Sequence, residues 1–257
     1  MADQENSTTP PVVSLNNVTK TFPGGVEALG GIDLDVAAGE FLTIIGASGA
    51  GKSTILRLMT GLDEPTSGTL TRAAEAARPG GTAMVFQDPA LMPWASSFEN
   101  VRLPLRLAGT PGGEARERIV HALETVGLAD RRDALPRDLS GGMRMRVSIA
   151  RALVTQPKLI LLDEPFGALD EITRFRLNDV LLDLWREQGL TIVLVTHSVF
   201  EAAYLSTRVT VLSAPPAKIM DEIHVPREII RNHAFRQSAG YLDYARKMSE
   251  MLGRGEN

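Results

Sequence analysis

Gly46-Ala47-Ser48-Gly49-Ala50-Gly51-Lys52-Ser53 is the segment from which the architecture of this chain can be worked out. It matches the pattern G-x-x-x-x-G-K-[ST], in which successive backbone N–H groups turn inward around the phosphates of a nucleotide. The glycines let the backbone adopt angles that other residues avoid and approach an anion closely. In this pattern the lysine reaches the β- and γ-phosphates, and the serine hydroxyl ligates Mg²⁺. We therefore predict a phosphate site here, with Lys52 and Ser53 as its principal side chains.

The segments on either side of this loop have the patterns that a phosphate-binding loop requires. Residues 41–45 form an apolar run rich in β-branched side chains, which favours a buried strand. Residues 53–62 carry apolar side chains at helical spacing and include Gly61 near their end, where helices commonly stop. A helix that begins at the loop directs the positive end of its dipole at the phosphates. An accidental glycine-rich turn would not be expected between such a strand and helix.

Composition restricts the class of protein. The chain has 257 residues, of which 44% are hydrophobic and 23% charged, as in ordinary globular proteins. Its net charge of −4 argues against binding to nucleic acid, because such domains are usually basic along one face. It has no cysteine, which excludes disulfides and suits a reducing compartment. Residues 1–11 have no secretory signal pattern and are predicted to be a disordered lead-in, and no apolar run approaches the ~18 residues of a membrane span.

The order of patterns along the chain predicts an α/β fold, in which a P-loop NTPase core carries an antiparallel β subdomain and an inserted helical subdomain. Two strands that precede any crossover helix, over 12–18 and 31–36, predict the antiparallel piece. Proline and glycine interrupt short helices from residue 88 onward, so we assign 88–153 to the inserted helical subdomain. The core then resumes with strands over 158–163 and 191–196, a helix over 171–188 and a closing hairpin over 208–224. The predicted division is a nucleotide-binding domain over 12–225 and a helical extension over 226–257, whose Tyr241, Tyr244 and Met248 form a stripe for packing.

Two further segments point to chemistry. Ser140-Gly141-Gly142 lies directly before a predicted helix, where a hydroxyl, free N–H groups and the helix dipole can bind an anion. An ordinary N-cap explains the serine equally well. Asp163-Glu164 ends a continuous apolar strand, where acidic side chains can hold a metal ion or activate water. The alternative there is a solvated turn at the end of the strand.

Taken in order, these segments resemble the ATP-binding cassette (ABC) family of transporter ATPases over residues 15–224. The matching motifs are the Walker A loop (46–53), the Q-loop glutamine (Gln87), the signature motif (139–142), the Walker B strand with its following glutamate (159–164), the D-loop (167–170) and the switch histidine (His197). Six motifs in the family's order are far more specific than any one of them. The chain departs from the family pattern where Met143 and Met145 stand in place of common glutamines.

The resemblance implies ATP and Mg²⁺ as ligands and gives each matched residue a role. Glu164 is expected to be the general base and His197 to contact the γ-phosphate with Lys52, although a lone histidine is more often structural. Phe22 is the candidate for stacking on adenine, or else an aromatic that packs in the core. The candidate Mg²⁺ ligands are Ser53, Gln87 and Asp163. The candidate nucleotide-binding residues are Phe22, Gly46, Ala47, Ser48, Gly49, Ala50, Gly51, Lys52, Ser53, Thr54, Gln87, Ser140, Gly141 and Gly142.

The resemblance also implies an assembly. Ser140 of one protomer would meet ATP on the other, so that a homodimer closes over two nucleotides. A separate transmembrane permease would carry the solute, and a solute-binding protein would deliver it. The chain is therefore expected at the cytoplasmic face of the inner membrane, as a peripheral protein. Met92, Trp94 and Leu103 form an apolar cluster that could receive a permease helix or belong to the subdomain core.

The wording of residues 88–94 and 99–101 resembles importer ATPases that serve nitrate, sulfonate, taurine and thiamine-precursor uptake. The alternative is a non-transport ABC ATPase that acts on a soluble or nucleic-acid partner, but such proteins tend to carry a coiled-coil insertion or a second cassette. A P-loop kinase would have no use for the signature motif, D-loop or switch histidine. A regulatory cassette that scarcely hydrolyses ATP is disfavoured by Glu164 and His197. The transported solute itself cannot be read from the sequence.

Overall fold

The computed structural model describes residues 10–255, so nearly all of the predicted lead-in over 1–11 lies outside the described residues. Within this range the strands are β1 (Val13–Thr21), β2 (Glu27–Val36), β3 (Phe41–Ile45), β4 (Ser67–Arg72), β5 (Thr82–Val85), β6 (Leu159–Asp163), β7 (Thr191–Val195), β8 (Arg208–Leu212) and β9 (Ile219–His224). The helices are α1 (Lys52–Thr60), α2 (Ala74–Ala77), α3 (Ser97–Leu107), α4 (Gly112–Thr125), α5 (Gly141–Leu153), α6 (Glu171–Gln188), α7 (Val199–Leu205), α8 (His233–Arg236) and α9 (Ala239–Gly255). Together they confirm the predicted α/β class.

A six-stranded sheet in the order β5-β6-β7-β3-β8-β9 forms the centre of the molecule. Its neighbours pair in parallel except for β8 and β9, the closing hairpin, which is antiparallel as predicted. Every residue of β3 and β7 is buried, because both faces of the sheet are covered. Successive side chains alternate between two apolar cores: Ile192 and Leu194 belong to one, Val193 and Val195 to the other.

The second sheet is three-stranded and antiparallel, in the order β2-β1-β4, which confirms the predicted β subdomain strands. Its inward residues Leu15 and Ile32 share a core with Ile55 and Met59 of α1. The phosphate loop therefore lies between a strand of one sheet and a helix packed against the other.

The helices between β5 and β6 pack on the opposite core. Ile119, Leu123 and Val126 are buried there, as the helical spacing predicts. Helix α6 begins and ends at the predicted residues, and α5 begins directly after Ser140 as predicted. Leu177, Leu181 and Leu184 form the buried face of α6.

Three elements differ from the sequence prediction. Strand β4 was not predicted, because its side chains are mostly exposed and carry no apolar alternation. Gly68 has φ 83°, and a Cβ there would lie 2.2 Å from the Asn17 carbonyl oxygen, so the glycine permits a close approach of β4 to β1. Helix α7 was not predicted. The C-terminal helix begins at Ala239 rather than near Arg227.

The C-terminal segment packs on its own chain. Tyr241 and Met248 are buried in the same core as α7 and β8, and the Tyr241 hydroxyl donates to the Phe200 carbonyl at 3.1 Å. This confirms that the predicted stripe is a packing surface. None of the helices within residues 10–255 combines the length and apolar character needed to cross a bilayer.

Candidate active site

The carboxyl ends of β3, β6 and β7 meet at one edge of the sheet, where parallel α/β folds commonly bind ligands. The phosphate loop follows β3, Asp163 and Glu164 follow from β6, and His197 follows β7. Segments far apart in the sequence are thereby brought together because their strands are neighbours in the sheet.

Lys52 is held inside the phosphate loop. Its ammonium group donates to the carbonyl oxygens of Gly46 and Ala47 at 2.9 and 2.8 Å, and the residue is only 6% exposed. Burial lowers the pKa of Lys52, while the nearby carboxylates Glu164 and Asp163 act in the opposite direction. The lysine thus places a positive charge at the loop without a direct ion pair.

Gly51 shows why the loop needs glycine. It has φ 77°, and a Cβ at this position would lie 2.8 Å from the Leu29 side chain and 3.1 Å from the Ala28 carbonyl oxygen. Gly49 has φ 79° with open space around it, so its requirement is conformational alone.

Ser53 and Asp163 form an oxygen-rich pair. The Ser53 hydroxyl donates to the Asp163 carboxylate at 2.9 Å. Burial raises the pKa of Asp163, and the Ser53 hydrogen bond partly offsets that effect. Hydroxyl and carboxylate oxygens, with the Gln87 amide lining the same cavity, are the hard donors that Mg²⁺ prefers. The described residues contain no group of three or more His, Cys, Asp or Glu side chains placed to hold a metal.

Glu164, the residue after Asp163, contacts His197. Nδ1 of His197 lies 3.2 Å from Oε2 of Glu164, and the two side chains are 64% and 25% exposed. Glu164 has φ 46°, an uncommon backbone conformation for a residue with a side chain. Its backbone N–H donates to the Val195 carbonyl at 2.9 Å, which ties the end of β6 to the end of β7.

A cavity of about 490 Å³ joins these groups. Its lining includes the predicted residues Phe22, Ser48, Gly49, Ala50, Gly51, Lys52, Ser53, Thr54, Gln87, Asp163 and Glu164. It also includes four residues that the sequence interpretation missed: Val26, Glu27, Ala28 and Pro215. These four carry no motif, and only the fold brings β2 and the β8–β9 turn beside the loop. Gly46 and Ala47 lie behind the cavity as acceptors for Lys52, and His197 reaches it through Glu164.

Phe22 lies between the cavity and the core of the small sheet. It lines the cavity and also packs against the apolar core of the small sheet. Its ring carries the Lys20 ammonium 5.3 Å from the centroid. The ring therefore contacts both the cavity and the core, and its role in stacking on adenine stays a prediction.

Gln87 connects the cavity with the helical region. Its amide nitrogen faces Gly167, at 3.5 Å from the position a Cβ would take there. Just beyond it, Arg151 of α5 donates to the carbonyl oxygens of Pro89 and Ala90 at 2.7 and 2.9 Å. These hydrogen bonds connect the segment after Gln87 to α5, the helix that follows the signature motif.

Ser140, Gly141 and Gly142 are not part of the cavity lining. Ser140 is exposed and caps α5, accepting a hydrogen bond from the Met143 N–H at 3.2 Å. Gly142 packs so tightly on α6 that a Cβ would lie 2.4 Å from the Thr173 methyl carbon. Met145 is buried in the core and Met143 is half-buried against it, so both departures from the family pattern are apolar contacts within the chain.

An apolar groove lies beside Gln87. Trp94 and Leu107 are each 78% exposed and Phe86 is 39% exposed. Leu103 and Leu107 line a cavity of about 340 Å³ together with Phe86 and Arg151. Trp94 is therefore no member of the core, while Met92 and Leu103 are half-buried.

Comparisons with known proteins agree with this geometry. The family model described as ABC transporter matches residues 29–167. The chain is 48% identical over 225 residues to the aliphatic sulfonates import ATP-binding protein SsuB 2 of Pseudomonas savastanoi pv. phaseolicola, covering 87% of this chain and 78% of that protein.

Two solved structures are also similar. One is cbiO1 from Clostridium perfringens, part of the ABC transporter complex cbiONQ, with a TM-score of 0.76, 27% identity and coverage of 84% of this chain and 89% of that one. The other is the dimeric post-hydrolysis state of the ATP-binding cassette MJ0796 bound to ADP and Pi, with a TM-score of 0.74, 34% identity and coverage of 83% and 99%.

Proposed function

The chain belongs to the ABC transporter family and is an ATPase, and we propose that it is the ATP-hydrolysing subunit of an importer for small sulfonates or related anions. The observation that carries the proposal is the cavity at the carboxyl edge of the sheet, where Lys52, Ser53 and Asp163 surround a space suited to phosphates. The sulfonate assignment rests on the relatives' names and on the resemblance of residues 88–101 to that importer group.

In this proposal the phosphate loop binds ATP. Lys52 exchanges its two carbonyl partners for the β- and γ-phosphates, and the α1 N-terminus adds its dipole. Phe22 stacks on the adenine at the cavity mouth. Ser53, Asp163 and Gln87 would hold Mg²⁺, which when bound would supply positive charge to the phosphates.

Glu164 acts as the general base and His197 supports it. The carboxylate lies at the rim of the cavity, one residue past Asp163, where an attacking water can approach. Nδ1 of His197 lies 3.2 Å from this carboxylate, and in the proposal the imidazole contacts the γ-phosphate. The left-handed backbone at Glu164 is consistent with a side chain held in place for function rather than for stability.

The active unit in this proposal is a homodimer. Ser140 lies on an exposed helix start outside the cavity, where its hydroxyl and the free N–H groups of α5 can meet a nucleotide carried by a second copy. The similar cassette bound to ADP and Pi is itself dimeric.

The partner that carries the solute is a transmembrane permease. The groove lined by Phe86, Leu103 and Leu107 fits an apolar helix end, and the exposed Trp94 of the same helical region offers a further apolar contact. This surface adjoins Gln87, so nucleotide state and permease position can be coupled. The chain would then be a peripheral protein of the cytoplasmic membrane face, and a solute-binding protein would act only indirectly.

The test is purification of detergent-solubilised complexes through this chain from its native membrane. We expect a co-purified permease, and ATPase activity stimulated by an aliphatic sulfonate together with the solute-binding protein encoded nearby. Trp94→Ala should reduce recovery of the permease without changing ATP binding, and Leu242→Ala, on the exposed C-terminal surface, is the matched control. A soluble partner with no permease would leave the ATPase in place and overturn transport.

A further inference from the structure

A buried carboxylate lies beneath the switch histidine. Glu201, in the first turn of α7, is only 4% exposed. Burying an ionised carboxyl group is costly unless partners compensate it. Accordingly, burial raises the pKa of Glu201, and the Thr196 hydroxyl and the Arg174 guanidinium act in the opposite direction. The identity of these two partners indicates what the carboxylate does.

The first partner fixes the backbone on both sides of His197. The Thr196 hydroxyl donates to Oε2 of Glu201 at 2.5 Å and accepts a hydrogen bond from the Ser198 N–H at 3.1 Å. One hydroxyl therefore connects the residue before the histidine with the residue after it. The imidazole itself is 64% exposed, so this backbone clamp largely sets where it points.

The second partner reaches the D-loop. Arg174 of α6 donates to the Leu169 carbonyl at 3.0 Å, and its Nε lies 3.6 Å from Oε1 of Glu201. The two oxygens of a single carboxylate thus face two different catalytic segments, the switch turn and residues 167–170.

Capping alone does not explain this arrangement. The Ser198 hydroxyl caps α7 by accepting a hydrogen bond from the Glu201 N–H at 3.3 Å. In a simple capping box, the glutamate carboxylate would in turn accept a hydrogen bond from the Ser198 N–H. Here the Glu201 carboxylate instead accepts a hydrogen bond from the Thr196 hydroxyl, and that hydroxyl accepts the one from the Ser198 N–H. A buried ion pair is also weak as a source of stability, which favours a role in specifying geometry.

From these contacts we infer that Glu201 is a positioning residue: through Thr196 it holds His197 toward Glu164, and through Arg174 it ties that position to the D-loop. The inference rests on the proposed role of His197. The D-loop also adjoins α5, since a Cβ on Gly141 would lie 3.7 Å from Leu169, so the same series of contacts extends to the surface that faces the second copy in the proposed dimer.

The experiment compares steady-state ATPase of the full chain with those of Glu201→Ala, Thr196→Val and His197→Ala. We expect Glu201→Ala and Thr196→Val each to lower kcat about 10- to 100-fold while KM for ATP changes less than about threefold, since geometry is lost but binding is not. Thr196→Val keeps the shape of the side chain, so it tests the clamp even where Glu201→Ala folds poorly.

A double-mutant cycle separates this inference from the proposed function. If Glu201 acts through His197, Glu201→Ala should cost little further activity in a His197→Ala background. Full multiplication of the two losses, or wild-type kcat in both Glu201→Ala and Thr196→Val, would overturn the positioning role. Wild-type activity in His197→Ala alone would overturn the role of the histidine first, and the inference with it.

The matched control is Asp179→Asn on the same helix α6, which removes the charge that pairs with Arg236 and alters the carboxylate that accepts from Tyr204 of α7 at 2.6 Å, but leaves the contacts of Thr196 and Arg174 in place. It should lower Tm without changing kcat. A loss of kcat in this control equal to that of Glu201→Ala would show that any damage to α6 suffices and would contradict the inference.

Discussion

Two helices in this molecule begin at a glycine-rich turn, and the two turns differ in how many of their binding partners the chain itself supplies. At the start of α1 the lysine is buried, two backbone carbonyls hold it, and a cavity with carboxylates faces it. At the start of α5 the serine is exposed and its hydroxyl caps its own helix. The first turn has its chemical partners within the chain, and the second faces solvent. In the proposed homodimer, the nucleotide bound by a second copy would lie at this second turn.

The strongest test of this contrast removes chemistry from the complete site. Glu164→Gln should lower kcat by about 10²- to 10⁴-fold, the usual contribution of a general base, because the amide cannot accept the proton from water. ATP affinity should stay within about twofold, since binding rests on the loop. Steady-state ATPase and nucleotide titration measure the two quantities. Undiminished turnover would remove Glu164 from the role of base.

The next test blocks the exposed turn. Ser140→Arg should lower turnover about 100-fold by filling the space where a second protomer's nucleotide would lie. ATP binding by the monomer should be unchanged, because Ser140 lies outside the cavity lining. The control is Ser96→Arg at the N-cap of α3, which carries the same cap chemistry away from the site. Normal ATPase from a purified monomer would contradict the shared site.

The smallest effect compares the two turns as backbone. Gly51→Ala should destabilise the fold by about 2 kcal/mol, because φ is 77° and a Cβ would press on Leu29 at 2.8 Å. Gly141→Ala should change stability by less than about 0.5 kcal/mol, since its nearest neighbour is 3.7 Å away and alanine favours helix. Urea unfolding of both variants measures the difference. Equal losses would show that the two loops are under the same constraint.

Much of the fold could be predicted because its central elements are buried on both faces or strongly periodic. The strand over 41–45 reads as a continuous apolar run, and α6 shows its stripe of leucines. Strand β4 gave no such signal, since it is exposed and is held by pairing with β1. Helix α7 could have been found from Ser198 and Glu201, which stand at the spacing of a capping box.

The site residues that belong to a short sequence motif could be predicted. The residues around Lys52 and Asp163 belong to short sequence patterns that follow strands, and the fold brings them together in one cavity. Val26 and Pro215 line the same cavity without any pattern, because only sheet pairing and the closing hairpin bring them there. The catalytic roles of Glu164 and His197 stay predictions that the kinetic tests decide.

The strand order has a consequence for what counts as a unit of this protein. The family model matches residues 29–167, but both neighbours of the phosphate-loop strand in the sheet, β7 and β8, lie beyond residue 167. A fragment cut to the matched residues would carry the loop on a strand with no hydrogen-bonded partner on either side. The segment that matches the family model is therefore shorter than the segment that must fold together. The boundaries of a minimal working cassette have to be chosen so that the whole sheet is included, not only the motifs.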